Sequence, residues 1–243
     1  MVAFMKVIIA LFLLFSGTIA SAETRNFTVT SFDQLVIRGA VDVQVETGVA
    51  SYARVIGPAR AIPQIEIEQT GRIMTVSVNR SAWGTNPTDG GDPLRIEIGT
   101  PSLDRASVNG PGRLRIESIE VDQFSLLLGG SGHAQVDRMD VERLTIGLAG
   151  AGSMRLAGET LEAKVLVRGL SSLQANDLKV RDLNLTVDGN GLVQITATHS
   201  VDLQTRGAGD IALQGSPACT LDIEGPTRVS GCEVREGFGR SRR

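Results

Sequence analysis

The sequence predicts an all-β fold, a parallel β-solenoid (β-helix) of about seven regular coils of 18–20 residues, with a less regular β N-terminal part. Three observations carry this. From Arg105 onward a glycine recurs at Gly110, Gly130, Gly150, Gly169, Gly189, Gly207 and Gly225, and a period of this length marks stacked units. Apolar residues flank each glycine at offsets that differ by two, the side-chain period of a strand. No window shows the three-and-four apolar spacing of an amphipathic helix.

Residues 1–22 come first and read as a signal peptide. Lys6 gives a short positive region, Val7 to Phe15 is an uncharged apolar run, and Ala20-Ser21-Ala22 fits a signal-peptidase site. Cleavage is expected between Ala22 and Glu23. The apolar stretch from Val7 to Ile19 is too short for a membrane span, which needs roughly 20 residues. No transmembrane span is expected in the mature chain, and no cysteine follows the cleavage site to carry a lipid. The protein is expected to be exported, to the periplasm or the cell surface.

Residues 23–104 form the less regular part. Alternating runs occur at Val41/Val43/Val45, Ile65/Ile67, Met74/Val76/Val78 and Leu94/Ile96/Ile98, with turn signals at Gly48, Gly57-Pro58 and Thr70-Gly71. They are expected to cap the solenoid or to add imperfect coils continuous with it. The longest loop runs from Trp83 to Pro93 and holds the single Trp83, a candidate loop contact.

Residues 105–234 are the regular coils. Two before each glycine stand Val108, Leu128, Leu148, Val167, Val187, Thr205 and Ile223, and four after stand Leu114, Ala134, Met154, Leu173, Val193, Ile211 and Val229. Each coil is expected to hold two or three short strands separated by bends. Stacked at about 4.8 Å, such columns make one continuous core. Five corners read Gly-x-Gly, which mimics a dinucleotide loop. No third glycine follows at the needed spacing and no helix pattern comes after, so the glycines are read as architecture.

Cys219 and Cys232 are the only cysteines. In an oxidising compartment an even count implies a disulfide, here a staple on the last coil. Residues 235–243 hold Arg240, Arg242 and Arg243 beside Gly237 and Gly239 and are expected to be a disordered basic tail.

Charge and composition exclude some functions. Asp and Glu number 27 against 24 Lys and Arg, which leaves no basic footprint for nucleic acid. Aromatics are 4% of residues, few for a sugar-stacking groove. The outward positions after each glycine predict a polar strip of Arg113, Arg115, Gln135, Arg155, Gln174 and Gln194, accompanied by His133, Ser153 and Ser172. This strip is the candidate binding face, for glycan or anionic polymer. A second outward row, Asp122, Glu142 and Glu162, is expected to stack beside Glu120 and Asp140. Stacked carboxylates repel, which makes the row a candidate for weak calcium binding, with neutralisation by Arg138 and Arg143 the favoured reading. No cofactor and no metal site are expected. The coils are near-minimal and leave no loops to wall a cleft, so the chain is read as no enzyme, a polysaccharide-active β-helix being the third reading.

The chain resembles a known family, the auto-transporter adhesin head domain called the head GIN domain. The resemblance lies in Phe32-Asp33-Gln34-Leu35-Val36-Ile37, in Arg38-Gly39-Ala40-Val41-Asp42-Val43-Gln44-Val45 with Gly48, and in Ile65-Glu66-Ile67 with Gly71 and Met74-Thr75-Val76. It continues in coils such as Gly130-Ser131-Gly132 and covers nearly the whole mature chain. It implies an exported bacterial β-solenoid acting as a binding or adhesion module, with a structural envelope role as the alternative. It carries over no catalytic or binding residues. The implied partner is a glycan or another envelope component. No membrane-translocating barrel is expected within the chain.

Overall fold

The computed structural model describes residues 23–78 and 94–234. Among them are nineteen β-strands in one hydrogen-bonded sheet system, one short 3-10 turn at Ile62–Gln64 and no α-helix. The stacked parallel strands form a β-solenoid of about six turns, which are the six intervals between the seven glycine corners.

The N-terminal strands are β1 (Glu23–Phe27), β2 (Gln34–Arg38), β3 (Asp42–Thr47), β4 (Tyr52–Gly57), β5 (Ile65–Thr70), β6 (Ile73–Val78) and β7 (Arg95–Thr100). The coils follow as β8 (Arg105–Asn109), β9 (Arg113–Ile116), β10 (Ile119–Gly130), β11 (His133–Val136), β12 (Met139–Gly150), β13 (Ser153–Gly169), β14 (Ser172–Gly189) and β15 (Leu192–Arg206). The last strands are β16 (Asp210–Gln214), β17 (Ala218–Glu224), β18 (Arg228–Ser230) and β19 (Glu233–Val234).

Each regular coil passes over three faces. The first holds the strand just before the corner glycine, the second the strand just after it, and the third the segment that leads on to the next coil. Thus Leu126 lies beside Ala106 and Ile146 on the first face, Ala134 beside Leu114 and Met154 on the second, and Ile119 beside Met139 on the third. All these pairs are parallel. The strands are longer than the expected short segments. β14 runs 18 residues from one glycine corner to the next, its ladders passing the other two corners through register shifts at Arg155/Ala157, Ala175/Lys179 and Val180/Asp182.

The predicted core columns are buried. Val108, Leu128, Leu148, Val167 and Val187 are at most 2% exposed, as are Leu114, Ala134, Met154, Leu173, Val193 and Ile211. Thr205 replaces an aliphatic in this column and pairs its hydroxyl with Thr227 at 3.1 Å. The corner glycines adopt φ between +89° and +130°. A Cβ on Gly150 would sit 2.5 Å from the carbonyl oxygen of Gly130, so the corner needs glycine for its backbone conformation and for coil-to-coil approach.

The N-terminal segment continues the stack in parallel, with β2 on β8 and β3 on β9. Its order is not sequential. β6 and β7 lie on the far side of β2 and β3, so a later segment sits outside an earlier one. Beyond them the pairing turns antiparallel, β5 on β6 and β4 on β7, with β1 on the outside of β4. This closes the N-terminal end of the core. Buried Thr100 braces this end from within by donating to the Phe32 carbonyl at 2.6 Å, and buried Asp33 pairs with Arg72. Asp104, beside them, has its carboxyl raised above the usual range, by burial first and by the Asp33 charge second.

At the other end Cys219 and Cys232 form a disulfide. Cys219 continues the inward column Phe124, Leu144, Ala163, Leu183, Val201, where its small, 5% exposed side chain reaches the next coil. The stretch read as a signal peptide with Ala22, the stretch around Trp83 read as a loop, and residues 235–243, read as a tail, lie outside the described residues.

Candidate functional site

The second face is built by the stretch that follows each corner glycine. Inward positions there are aliphatic, so alternation turns their neighbours outward. Hydrogen-bond register sets two columns side by side. One runs Arg95, Asp42, Arg113, His133, Ser153, Ser172, Leu192, Asp210. The other runs Glu97, Gln44, Arg115, Gln135, Arg155, Gln174, Gln194. All six strip residues named from the sequence therefore lie on one face, Arg113 in the first column and the other five consecutively in the second. Leu192, 40% exposed, interrupts the first column.

The strip is held by side-chain bonds between coils. Arg115 Nε donates to Asp137 Oδ2 at 2.8 Å, and Gln135 Nε2 donates to Asp137 Oδ1 at 2.6 Å. Burial raises the Asp137 carboxyl, but these two bonds and the Arg115 charge outweigh it and hold the group below its usual range. Arg155 donates to Gln174 Oε1 at 2.9 Å through Nη2, and Asn176 donates to Gln194 Oε1 at 3.3 Å. His133 Nδ1 meets Ser153 Oγ at 2.7 Å. Its imidazole is held below its usual range, first by burial and then by the charges of Arg113 and Arg155. The face is thus rich in outward donors, with Arg113 lacking an ion-pair partner among the described residues.

The acidic row departs from the expectation. Asp122 and Glu142 occupy matching places between paired neighbours, but Glu162 lies over Arg143. The coil is one residue shorter here. Register shifts from 20 between Val136 and Leu156 to 19 between Asp140 and Glu159, with Gly158 at φ +131° in the interval. A signal for this existed, since Asp122 and Glu142 stand eight before their glycine and Glu162 stands seven before. The carboxylates that do stack are Glu120, Asp140 and Glu159, ending on Lys179, which bonds Glu159 at 2.9 Å. Among the described residues no group of three His, Cys, Asp or Glu side chains converges to hold a metal.

Two constellations were not singled out from the sequence. On the third face Asp182 accepts from His199 at 2.7 Å and Ser200 at 2.5 Å, and from Arg181 at 2.9 Å. These bonds, Ser200's first, pull its carboxyl down to about 2. His199 and Ser200 approach the same carboxylate oxygen, so the acid does not aim the imidazole at the hydroxyl, as nucleophile activation requires. On the first face a groove of about 220 Å³ is lined by Arg168, Asp188, Arg206 and Glu224 with Thr186 and Gln204. The four charged residues stand one before successive corner glycines and alternate in sign. Arg206 bonds Glu224 at 3.0 Å and Arg168 bonds Asp188 at 3.4 Å. Reading the position before each glycine would have found this ladder.

No helix among the described residues is long and apolar enough to cross a membrane. No curated protein matches the sequence. Among solved structures, the chain is similar to a putative adhesin from Bacteroides fragilis NCTC 9343, with TM-score 0.75, 21% identity, and coverage of 86% of this chain and 96% of that one. It is also similar to a putative lipid binding protein from Parabacteroides distasonis ATCC 8503, with TM-score 0.69, 18% identity, and coverage of 88% and 97%. A putative adhesin from Parabacteroides merdae ATCC 43184 follows with TM-score 0.64, 18% identity, and coverage of 88% and 97%. At these identities the likeness is one of fold. The sequence itself matches a family model over residues 31–217, well over half its length, and the chain belongs to the family described as "Putative auto-transporter adhesin, head GIN domain".

Proposed function

We propose that the protein is an exported, non-catalytic binding module of the bacterial envelope, and that the polar strip of the second face is its contact surface. The observation that carries this is the placement of Arg113, Arg115, Gln135, Arg155, Gln174 and Gln194 on one outward face over successive coils. Their donors recur at the coil spacing of about 4.8 Å, which suits an extended polymer that offers acceptors at short intervals. Arginines, a histidine and glutamine amides favour a glycan or other polymer bearing anionic groups. Family membership supports adhesion as the role. A surface or periplasmic location fits it.

The test is binding of the mature protein to a glycan array and to immobilised anionic polysaccharides. Salt-sensitive binding that falls in an Arg113→Ala/Arg155→Ala variant supports the reading. A null result across anionic and neutral polymers overturns it and favours the structural envelope role. Release of reducing ends from any polysaccharide would return the chain to the enzymes.

A further inference from the structure

The two ends of the solenoid are finished differently. At the N-terminal end antiparallel β5, β4 and β1 cover the core. At the C-terminal end the inward columns run out into solvent. Ile223 is 41% exposed, and Leu221 and Val229 are half-buried, whereas their counterparts one coil earlier, Leu203, Thr205 and Ile211, are at most 2% exposed. The strand edge is open as well. β17 pairs with β15 on one side, and on the other, among the described residues, only Ala218 and Cys219 pair, with β19. Among the described residues, the outer side of Thr220 to Ile223 thus offers backbone donors and acceptors beside exposed aliphatic side chains, while the Glu224 carbonyl already accepts from Gly207 N at 3.0 Å.

We propose that this edge is a docking site for an extended segment of another protein, added as a strand to β17, with apolar residues alternating with Lys or Arg. Strand addition supplies main-chain hydrogen bonds, and alternate pockets supply selectivity. The inward positions Leu221 and Ile223 call for apolar side chains above them. The outward ones, Asp222 and Glu224, call for basic side chains opposite, since unlike pairs across strands attract and like pairs repel. Asp222 has no ion pair among the described residues, and Glu224 bonds Arg206 on the β15 side at 3.0 Å and keeps its other side exposed.

The same rule disfavours a second copy. Antiparallel pairing of two β17 edges with matched faces sets Asp222 against Asp222 of the other copy. Stacking onto the N-terminal edge sets Asp222 and Glu224 near Glu66 and Glu68, which point outward on β5. The chain's own continuation also fits poorly. Its sequence from Arg235 to Gly239, Arg-Glu-Gly-Phe-Gly, does not alternate apolar with basic residues and holds two glycines, weak strand formers.

The test uses the full mature chain and a synthetic peptide of alternating valine and lysine, about strand length, with affinity read by fluorescence anisotropy and amide protection by hydrogen exchange. The peptide is expected to bind and to protect the amides of residues 220–224. Reversing charge with Asp222→Lys/Glu224→Lys is expected to weaken it about tenfold, from two exposed ion pairs lost and made repulsive, while Glu66→Lys/Glu68→Lys leaves it unchanged. A peptide N-methylated at alternate amides, unable to complete the ladder, is expected not to bind.

Four results overturn the proposal: no binding; binding indifferent to the Asp222/Glu224 reversal; a dimer that Ile223→Asp dissolves, which makes the occupant a second copy; or protection of residues 220–224 without peptide that deleting residues 235–243 removes, which makes the occupant the chain's own tail. Because residues 222–224 are exposed, the variants are expected to fold, and the exchange pattern of the other coils reports that independently.

Discussion

Replacing Gly150 by alanine separates two reasons for a glycine corner. The first is conformational. At φ +112° a Cβ is strained, at a cost of roughly 1–2 kcal/mol for a left-handed residue. The second is steric, because the new Cβ would lie 2.5 Å from Gly130 O and 3.2 Å from Gly130 Cα, all backbone. An ordinary contact needs close to 1 Å more, and only a shift of one coil against the next can supply it. Overpacking of this kind costs about 1–3 kcal/mol. Gly48 is the control, with φ +78° and nothing within 4 Å of the built Cβ, so Gly48→Ala pays the conformational term alone. Gly150→Ala is therefore expected to lose about 2–5 kcal/mol and Gly48→Ala about 1–2 kcal/mol. Urea unfolding followed by far-ultraviolet circular dichroism measures both. Equal losses would refute the argument that close stacking of coils requires the glycine column, leaving only turn geometry to explain it.

Other expectations follow from the same geometry. Reducing the disulfide, or Cys219→Ser/Cys232→Ser, opens a loop with sequence separation 13 and is expected to cost about 3 kcal/mol in a urea titration; no loss would mean that the last coil is ordered without its staple. Thr100→Val leaves the Phe32 carbonyl without its buried donor and is expected to cost about 1–3 kcal/mol, with hydrogen exchange rising first in β2 and β6. His133 gives a pH signature. Its folded-state value lies below the unfolded one, so the unfolded chain gains the proton first as pH falls below about 6.5. Stability is expected to decline from there until the folded imidazole also titrates, and His133→Gln should remove that part of the slope in melting curves across pH. A polyanion bound to the second face should raise the His133 value, seen as proton uptake on binding.

Much of the regular region was legible without coordinates. Leu128 and Ala134 could be placed in the core because each coil repeats the last, so counting from the glycine finds a residue's neighbour above and below. The same count set Gln135, Arg155 and Gln174 in one row. It failed for Glu162, where a missing residue at the corner near Gly158 moved the side chain onto Arg143. Alternation tells which side a residue faces, but a one-residue slip is absorbed at a corner that alternation does not mark. Which strand lies beside which in residues 23–104 was also hidden, since Val43 and Ile96 read alike as strand residues and neither carries a period.

The sequence by itself determined the repeat, the inward columns and the staple at Cys219, because these depend on spacing along the chain. Only the tertiary structure decided that β6 and β7 lie outside β2 and β3, that antiparallel strands cap one end, and that Ile223 is left exposed at the other among the described residues. Those arrangements are chosen by backbone hydrogen bonding between segments distant in sequence, and every strand edge offers the same donors and acceptors until packing selects its neighbour.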